Sequence, residues 1–86
     1  MSKINVLLMC DAVVDDPDGD ALNLEKRITM PFLPRVGDDL GVGADCDYMR
    51  VEHVFWHPAD GFAVQVEDCE SAALTRKMLT QGWSEQ

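Results

Sequence analysis

The sequence predicts a mainly β fold of the α+β class, a small five-stranded antiparallel barrel or curled sheet with one C-terminal helix. Three observations lead to this prediction. Segments of alternating apolar and polar residues recur, turn-forming residues separate them, and strong helix formers follow residue 68. At 86 residues the chain is expected to form a single domain, residues 1–86, with a modest core.

The chain opens with a predicted strand and turn. Residues 3–14 are rich in aliphatic and β-branched residues, and the consecutive apolar residues 7–9 indicate burial on both faces. The sequence DDPDGD at residues 15–20 predicts a turn, because its proline fixes φ and its glycine permits left-handed geometry. A hairpin is therefore expected at the N-terminus.

The second strand is predicted to begin at Ala21 and to alternate as far as Phe32. Lys26 is the exception on its apolar side, where it either carries its ammonium group to solvent at an edge or marks a bulge. Pro31 and Pro34 end this strand, since neither can donate a ladder hydrogen bond.

The second half of the chain predicts three more strands. A short one is expected near residues 40–42, a central one over 48–56 and a third over 62–67, with a tight HPADG turn between the last two. The central strand is predicted to place Glu52, Val54 and Trp56 on one face and Val51, His53 and Phe55 on the other.

A C-terminal helix is predicted over residues 69–81. Asp68 is a favourable N-cap, and Gly82 suits the end of a helix. Leu74 and Met78, spaced i, i+4, predict an apolar stripe that docks on the sheet.

The aromatic residues are expected to be used mostly by the core. Tyr48 and Trp83 are predicted to be partly exposed, and Trp83 is also expected to pack back and anchor the end of the chain. The aromatic residues assigned to the core are Phe32, Phe55, Trp56 and Phe62.

The charge of the chain is strongly negative, with 16 acidic and 7 basic residues and a formal net charge of −9. This balance disfavours direct binding to nucleic acid or to an anionic membrane, and it favours a partner protein with a basic surface. Turn formation and solubility are the simpler explanation for so many aspartates. Eight of them cluster in two turn regions and form the predicted interaction site: Asp15, Asp16, Asp18, Asp20, Asp38, Asp39, Asp45 and Asp47.

Cysteine usage and the N-terminus predict a cytoplasmic protein. Three widely spaced cysteines, an odd number, suit free thiols in a reducing compartment. The first apolar run, residues 4–10, is shorter than a membrane span and lacks the cleavage site of a signal peptide.

Metal and catalytic motifs are weak. His53 and His57 are about 13 Å apart along a strand, too far to share one zinc ion unless the following turn folds His57 back. The DDPDGD turn lacks the glycine and glutamate positions of a calcium loop. Each cysteine has acidic neighbours, which raise a thiol pKa. We therefore expect no enzyme activity, no metal and no cofactor.

One structural motif carries a resemblance. The segment Leu33 to Asp38 (LPRVGD), followed by Tyr48, Val51, Val54 and Trp56 and then by the alternating strand Phe62 to Val66, resembles small uncharacterised bacterial and phage proteins with SH3-like β-barrels. The resemblance covers less than half of the chain and implies an SH3-like barrel. It carries over no catalytic residues.

Two classes of function follow. The leading hypothesis is a non-enzymatic acidic protein-interaction module, in the form of a phage or mobile-element inhibitor that docks on the basic, nucleic-acid-binding surface of a host protein. The alternative is a structural or assembly module, a homodimer for example, that self-associates through sheet edges or the helix. A small-ligand or cation site in a barrel mouth is a third class, for which the sequence locates no polar groups.

Overall fold

The computed structural model of the protein describes residues 3–14, 21–59 and 61–86. The described strands form one six-stranded sheet in the order β3-β4-β5-β1-β2-β6, curled into a half-barrel. The predicted fold class is thus confirmed. The elements are β1 (Ile4–Val13), β2 (Ala21–Met30), β3 (Asp39–Leu40), a 3₁₀ turn (Ala44–Cys46), β4 (Met49–His57), β5 (Gly61–Val66), α1 (Ala72–Thr80) and β6 (Ser84–Glu85).

The strand count and one strand direction differ from the five antiparallel strands that the sequence predicts. β6 is a two-residue strand that pairs with β2, too short to carry an alternation signal. β5 lies beside β1 and runs parallel to it, with Val6 opposite Phe62 and Leu8 opposite Val64. Because β5 is the more apolar strand of its hairpin with β4, its place next to β1 buries Val64 and Val66 completely.

β1 and β2 form a long antiparallel hairpin, whose register runs from Ile4 opposite Met30 to Val13 opposite Ala21. Leu7 is buried on the outer face of β1, which confirms the prediction that this strand is partly buried on both faces. The register is continuous at Lys26, so a bulge there is excluded, and its Nζ donates to the carbonyl of Gln81 at 3.0 Å. The core face of the hairpin carries Val6, Leu8, Cys10, Ala12, Leu24 and Met30.

The faces predicted for β4 are confirmed for residues 53–56 and wrong at Val51, because a β-bulge interrupts the strand between Val51 and His53. The extra residue, Glu52, puts Val51 and Val54 on the same side of the sheet, opposite Val66 and Val64 respectively. The strand is also less central than predicted. β3 pairs with it at Met49 and Arg50 only.

The helix α1 begins three residues later than the predicted start at residue 69. Cys69 is still extended and bridges Ala12 in parallel: its N–H donates to the carbonyl of Asp11, and its carbonyl accepts from Val13, both at 2.9 Å. The N-cap is therefore Ser71, whose Oγ accepts from the N–H of Leu74 at 3.3 Å. Pairing with β1 outweighs the capping preference of the aspartate at position 68.

The buried face of α1 is also rotated from the predicted stripe. Ala72, Thr75 and Met78 are buried, whereas Leu74 is 41% exposed. Thr75 tolerates complete burial because its hydroxyl donates to the carbonyl of Ser71 at 3.0 Å.

The end of α1 turns Trp83 into the core. Gly82 has a φ of +101°, the left-handed geometry of a helix terminus, and the N–H of Trp83 donates back to the carbonyl of Met78 at 3.2 Å. The indole Nε1 donates to the carbonyl of Val42 at 2.9 Å, and the side chain is 2% exposed. Trp83 anchors the chain end as predicted, but the expectation of partial exposure is wrong.

The aromatic residues supply less of the core than predicted. Tyr48 is exposed, as expected, but Phe32, Phe55 and Trp56 are also 61%, 48% and 65% exposed. Aliphatic and small side chains fill the interior, while these three lie on a loop and on the part of β4 beyond the bulge. Exposed aromatic surface of this kind often marks contact with another molecule.

We expect Trp83→Phe to lower the free energy of unfolding by about 2–4 kcal/mol, because it shrinks a buried side chain and leaves the carbonyl of Val42 without its donor. Urea titration followed by circular dichroism measures this. The matched control is Trp56→Phe, an exposed position that should change stability by about 0.5 kcal/mol or less. Equal effects at the two positions would contradict this account of the core.

Candidate functional site

Asp38 and Asp39 are used locally by the fold. The Oδ2 of Asp38 accepts from the N–H of Arg35 at 2.8 Å and closes the turn before β3. The Oδ1 of Asp39 lies 4.0 Å from the Nε of Arg50, its partner across the β3–β4 pair. This ion pair is exposed and contributes little to stability, but it offsets one acidic charge.

Residues 43–47 form a compact loop that folds on itself. The N–H of Gly43 donates to the carbonyl of Asp47 at 2.9 Å, and the N–H of Cys46 donates to the carbonyl of Gly43 at 3.1 Å. Asp45 and Cys46 have φ values of +56° and +62°, which non-glycine residues adopt only at a cost. Contacts from elsewhere must therefore hold this loop.

The helix α1 supplies those contacts through Asp45. Lys77 Nζ donates to its Oδ2 at 2.8 Å, Gln81 Nε2 donates to its Oδ1 at 2.8 Å, and the Asp45 N–H donates to Gln81 Oε1 at 2.7 Å. The hydrogen bond from Lys77, followed by that from Gln81, lowers the pKa of Asp45 below its ordinary value. The same contact raises the pKa of Lys77.

A cleft of about 380 Å³ opens between this loop and the start of α1. One wall is the segment 43–49, and the other is the segment 67–71 together with α1. The apolar part of the lining includes Leu74 and the 72% exposed ring of Tyr48. The acidic part of the lining consists of Asp47, Glu67, Asp68 and Glu70.

The four acidic residues that line this acidic cleft have no basic residue beside them among its described lining residues. Asp47 and Glu67 accept backbone hydrogen bonds, from the N–H groups of Tyr48 and Arg50, both at 3.1 Å. These contacts orient two carboxylates without neutralising them. A cleft that combines like charges with an exposed ring and an aliphatic side chain suits a lysine or arginine side chain, which has a cationic head and an apolar stem.

The predicted interaction residues are only partly brought together. Of the four predicted aspartates within the described residues, Asp47 lines the cleft, while Asp38, Asp39 and Asp45 are engaged as described above. Sequence reasoning missed Glu67, whose signal was the EDCE run at residues 67–70, read as the end of a strand and the start of a helix. The predicted site residues Asp15, Asp16, Asp18 and Asp20 lie outside the described residues.

Cys10 is a buried thiol at the junction of β1 and the segment that follows β5. Burial, reinforced by negative charge at Cys69, Asp68 and Asp11, raises the pKa of Cys10 to about 12. Its Sγ donates to the carbonyl of Glu67 at 3.4 Å, so the protonated thiol is part of the packing between β1 and β5. This direction agrees with the expectation from its acidic neighbours, although burial is the larger cause.

The described residues include no group of three or more His, Cys, Asp or Glu side chains that could hold a metal ion. His53 and His57 both lie in β4, and the Nδ1 of His57 accepts from the N–H of Ala59 at 3.1 Å. A membrane-spanning helix is likewise absent from the described part of the chain, because none there is long and apolar enough.

Comparison with known proteins gives one partial likeness. The chain is 34% identical over 67 residues to presqualene diphosphate synthase of Zymomonas mobilis subsp. mobilis, an alignment that covers 76% of the chain. It spans only 23% of the length of that relative. No protein family matches the chain, and no solved structure matches it. The resemblance to SH3-like barrel proteins therefore stays a prediction.

The contact between Asp45 and Lys77 makes a testable prediction about titration. Replacing Lys77 by Met should raise the pKa of Asp45 toward its ordinary value, measured by carboxyl ¹³C NMR. Since the pKa of Asp45 is lowered in the fold, its contribution to stability is present above pH about 4 and is lost as pH falls through the lowered value. Because the pKa of Lys77 is raised, its contribution is lost only as pH rises through that raised value.

The matched control is Arg76→Met, which removes a neighbouring cation on α1 that has no contact with Asp45 among the contacts described. An unchanged titration of Asp45 in Lys77→Met, or an equal change in both variants, would show that Lys77 does not hold the loop.

Proposed function

We propose that this chain is a non-enzymatic protein-interaction module whose acidic cleft receives a basic side chain from a partner protein. The observation that carries the proposal is the convergence of Asp47, Glu67, Asp68 and Glu70 with the exposed ring of Tyr48 around one opening. Turn formation explains aspartates on the surface, but it does not explain why acidic residues from two separate segments line one opening beside apolar side chains.

The arrangement of the cleft favours a side chain over a simple cation. Leu74 and Tyr48 remain exposed at the opening, so a lysine or arginine stem would bury apolar surface there while its head lies among the carboxylates. The overall charge of −9 adds attraction at longer range, which raises the association rate with a basic surface more than it raises affinity.

The partial likeness to presqualene diphosphate synthase does not lead us to propose an enzyme. The chain spans less than a quarter of that protein.

The inhibitor role predicted from the sequence is a specific form of this proposal. In that form the partner is a host protein with a basic, nucleic-acid-binding surface, and the chain comes from a phage or a mobile element. The charge balance of the chain supports this form, because closely spaced carboxylates can bind the lysine and arginine side chains of the partner that otherwise bind the phosphates of a nucleic acid.

Removing charge from the cleft should weaken binding to a basic peptide. For a fluorescent eight-residue peptide of alternating arginine and leucine, we expect Asp68→Asn with Glu70→Gln to raise Kd about threefold to thirtyfold, since each exposed charge pair contributes up to about 1 kcal/mol. Binding should also weaken as salt increases, and less steeply in the double variant. Fluorescence anisotropy at several salt concentrations measures both effects.

Two controls separate the cleft from general charge attraction. Asp11→Asn with Glu85→Gln removes the same charge from exposed positions outside the cleft and should leave Kd within about twofold. Tyr48→Ser should weaken binding without changing the salt dependence. Equal losses in the two double variants would assign binding to net charge alone and overturn the proposal.

The inhibitor form requires competition. A basic host protein is first identified by capture on the immobilised chain at low salt and is then bound to a labelled DNA duplex. Adding the free chain should displace the duplex, and the Asp68→Asn, Glu70→Gln variant should displace less of it. A captured partner that binds its duplex equally well with and without the chain would remove the inhibitor role while leaving the peptide result intact.

A further inference from the structure

The second half of β4 is an open edge of the sheet. In the described part of the chain, strand and loop partners on this side of β4 reach only as far as Val51, which exchanges hydrogen bonds with Asp38 and Gly37 at 2.8 Å. Residues 53–56 lie beyond the bulge, and on this side no described strand continues the ladder. Edge backbone of this kind is a template for pairing with another strand.

The composition of the open edge contrasts with that of the opposite edge of the sheet. β2, which β6 covers only at Leu24 and Glu25, carries Lys26 and Arg27 immediately afterwards, and charged residues discourage edge pairing. Residues 53–56 of β4 are HVFW, with no carboxylate, lysine, arginine or proline. A second acidic chain can therefore approach residues 53–56 without placing carboxylates directly against this segment.

We propose that residues 54–56 of β4 pair antiparallel with the same residues of a second copy of this chain and form a two-fold symmetric dimer. A two-fold axis through Phe55 brings its ring opposite the ring of its copy on the outer face of the sheet, and it brings Val54 opposite Trp56 twice on the inner face.

This register is self-complementary because the two side chains of every directly opposed pair, one from each copy, lie on the same face of the sheet. A shift by one residue would oppose side chains from different faces, which the pleat does not allow. Aromatic pairs, and aromatic residues opposite β-branched ones, are among the stabilising cross-strand combinations. The 48% and 65% exposure of Phe55 and Trp56 in the single chain is thereby accounted for.

The affinity of dimer formation should depend on salt in the opposite direction to the affinity of the acidic cleft for a basic peptide. Two chains of net charge −9 repel each other, and salt screens that repulsion, so pairing at β4 should strengthen as salt rises. Binding of a basic peptide to the cleft weakens under the same conditions. Failure of one surface is therefore distinguishable from failure of the other.

Sedimentation velocity from about 10 µM to about 1 mM, at low and high salt, tests the pairing. We expect a concentration-dependent dimer that salt favours, and we expect Phe55→Lys to raise the dissociation constant at least about tenfold, since two lysines would then face each other. Phe32→Lys is the matched control, an equally drastic change at an exposed phenylalanine outside the sheet, and it should leave the constant unchanged.

A cysteine cross-link tests the register itself. In a Cys46→Ser background, which removes the exposed thiol, Phe55→Cys should form an intermolecular disulfide on mild oxidation, because directly opposed residues have Cα atoms about 4.5–5.5 Å apart. His53→Cys, on the same face, should not, since the two copies of residue 53 would be about 13 Å apart. A chain that stays monomeric at all concentrations, or equal cross-linking at positions 53 and 55, would overturn the proposal.

Discussion

The rest of the structure depends on the parallel contact between β1 and the β5 segment. It begins where Val6 faces Phe62 and continues past the end of β5 to the bridge between Ala12 and Cys69. Residues 62–65 and then Cys69 are thereby held against β1, and the two most apolar strands lie at the centre of the sheet. The direction of this contact also determines where the chain leaves the sheet and at which end α1 begins.

That exit point produces the cleft. Because Cys69 must stay extended against β1, its acidic neighbours Asp68 and Glu70 cannot enter a helix, and both lie exposed at the sheet margin. The helix then returns along the loop at residues 43–47 and holds it through Asp45. Two consecutive left-handed residues in that loop are strained, and the three hydrogen bonds between Asp45 and α1 offset this cost. The cleft is the space left between these two fixed walls.

Local structure could be predicted from the sequence, but features that depend on contacts between distant segments could not. Alternation predicted the β1–β2 hairpin and the side of Lys26, because those signals come from residues within one strand. Alternation gave the wrong face before Glu52, because the extra residue of a bulge leaves no signal in the pattern. Capping preference gave the wrong helix start at Asp68, because pairing of the next residue with β1 keeps the chain extended there. The cleft was missed for the same reason: Asp47 and Glu67 are twenty residues apart, and only the fold brings them to one opening.

The bulge at Glu52 separates two surfaces on a single strand. Before it, β4 is covered by β3 and contributes Met49 to the cleft; after it, the strand is open and uncharged through Trp56. Met49 and Phe55 are six residues apart, about 20 Å along a strand, so a partner at the cleft and a second copy at the edge need not overlap. A two-fold dimer formed through the open half would then present two acidic clefts, and a partner with repeated basic segments would bind it more tightly than it binds either chain alone.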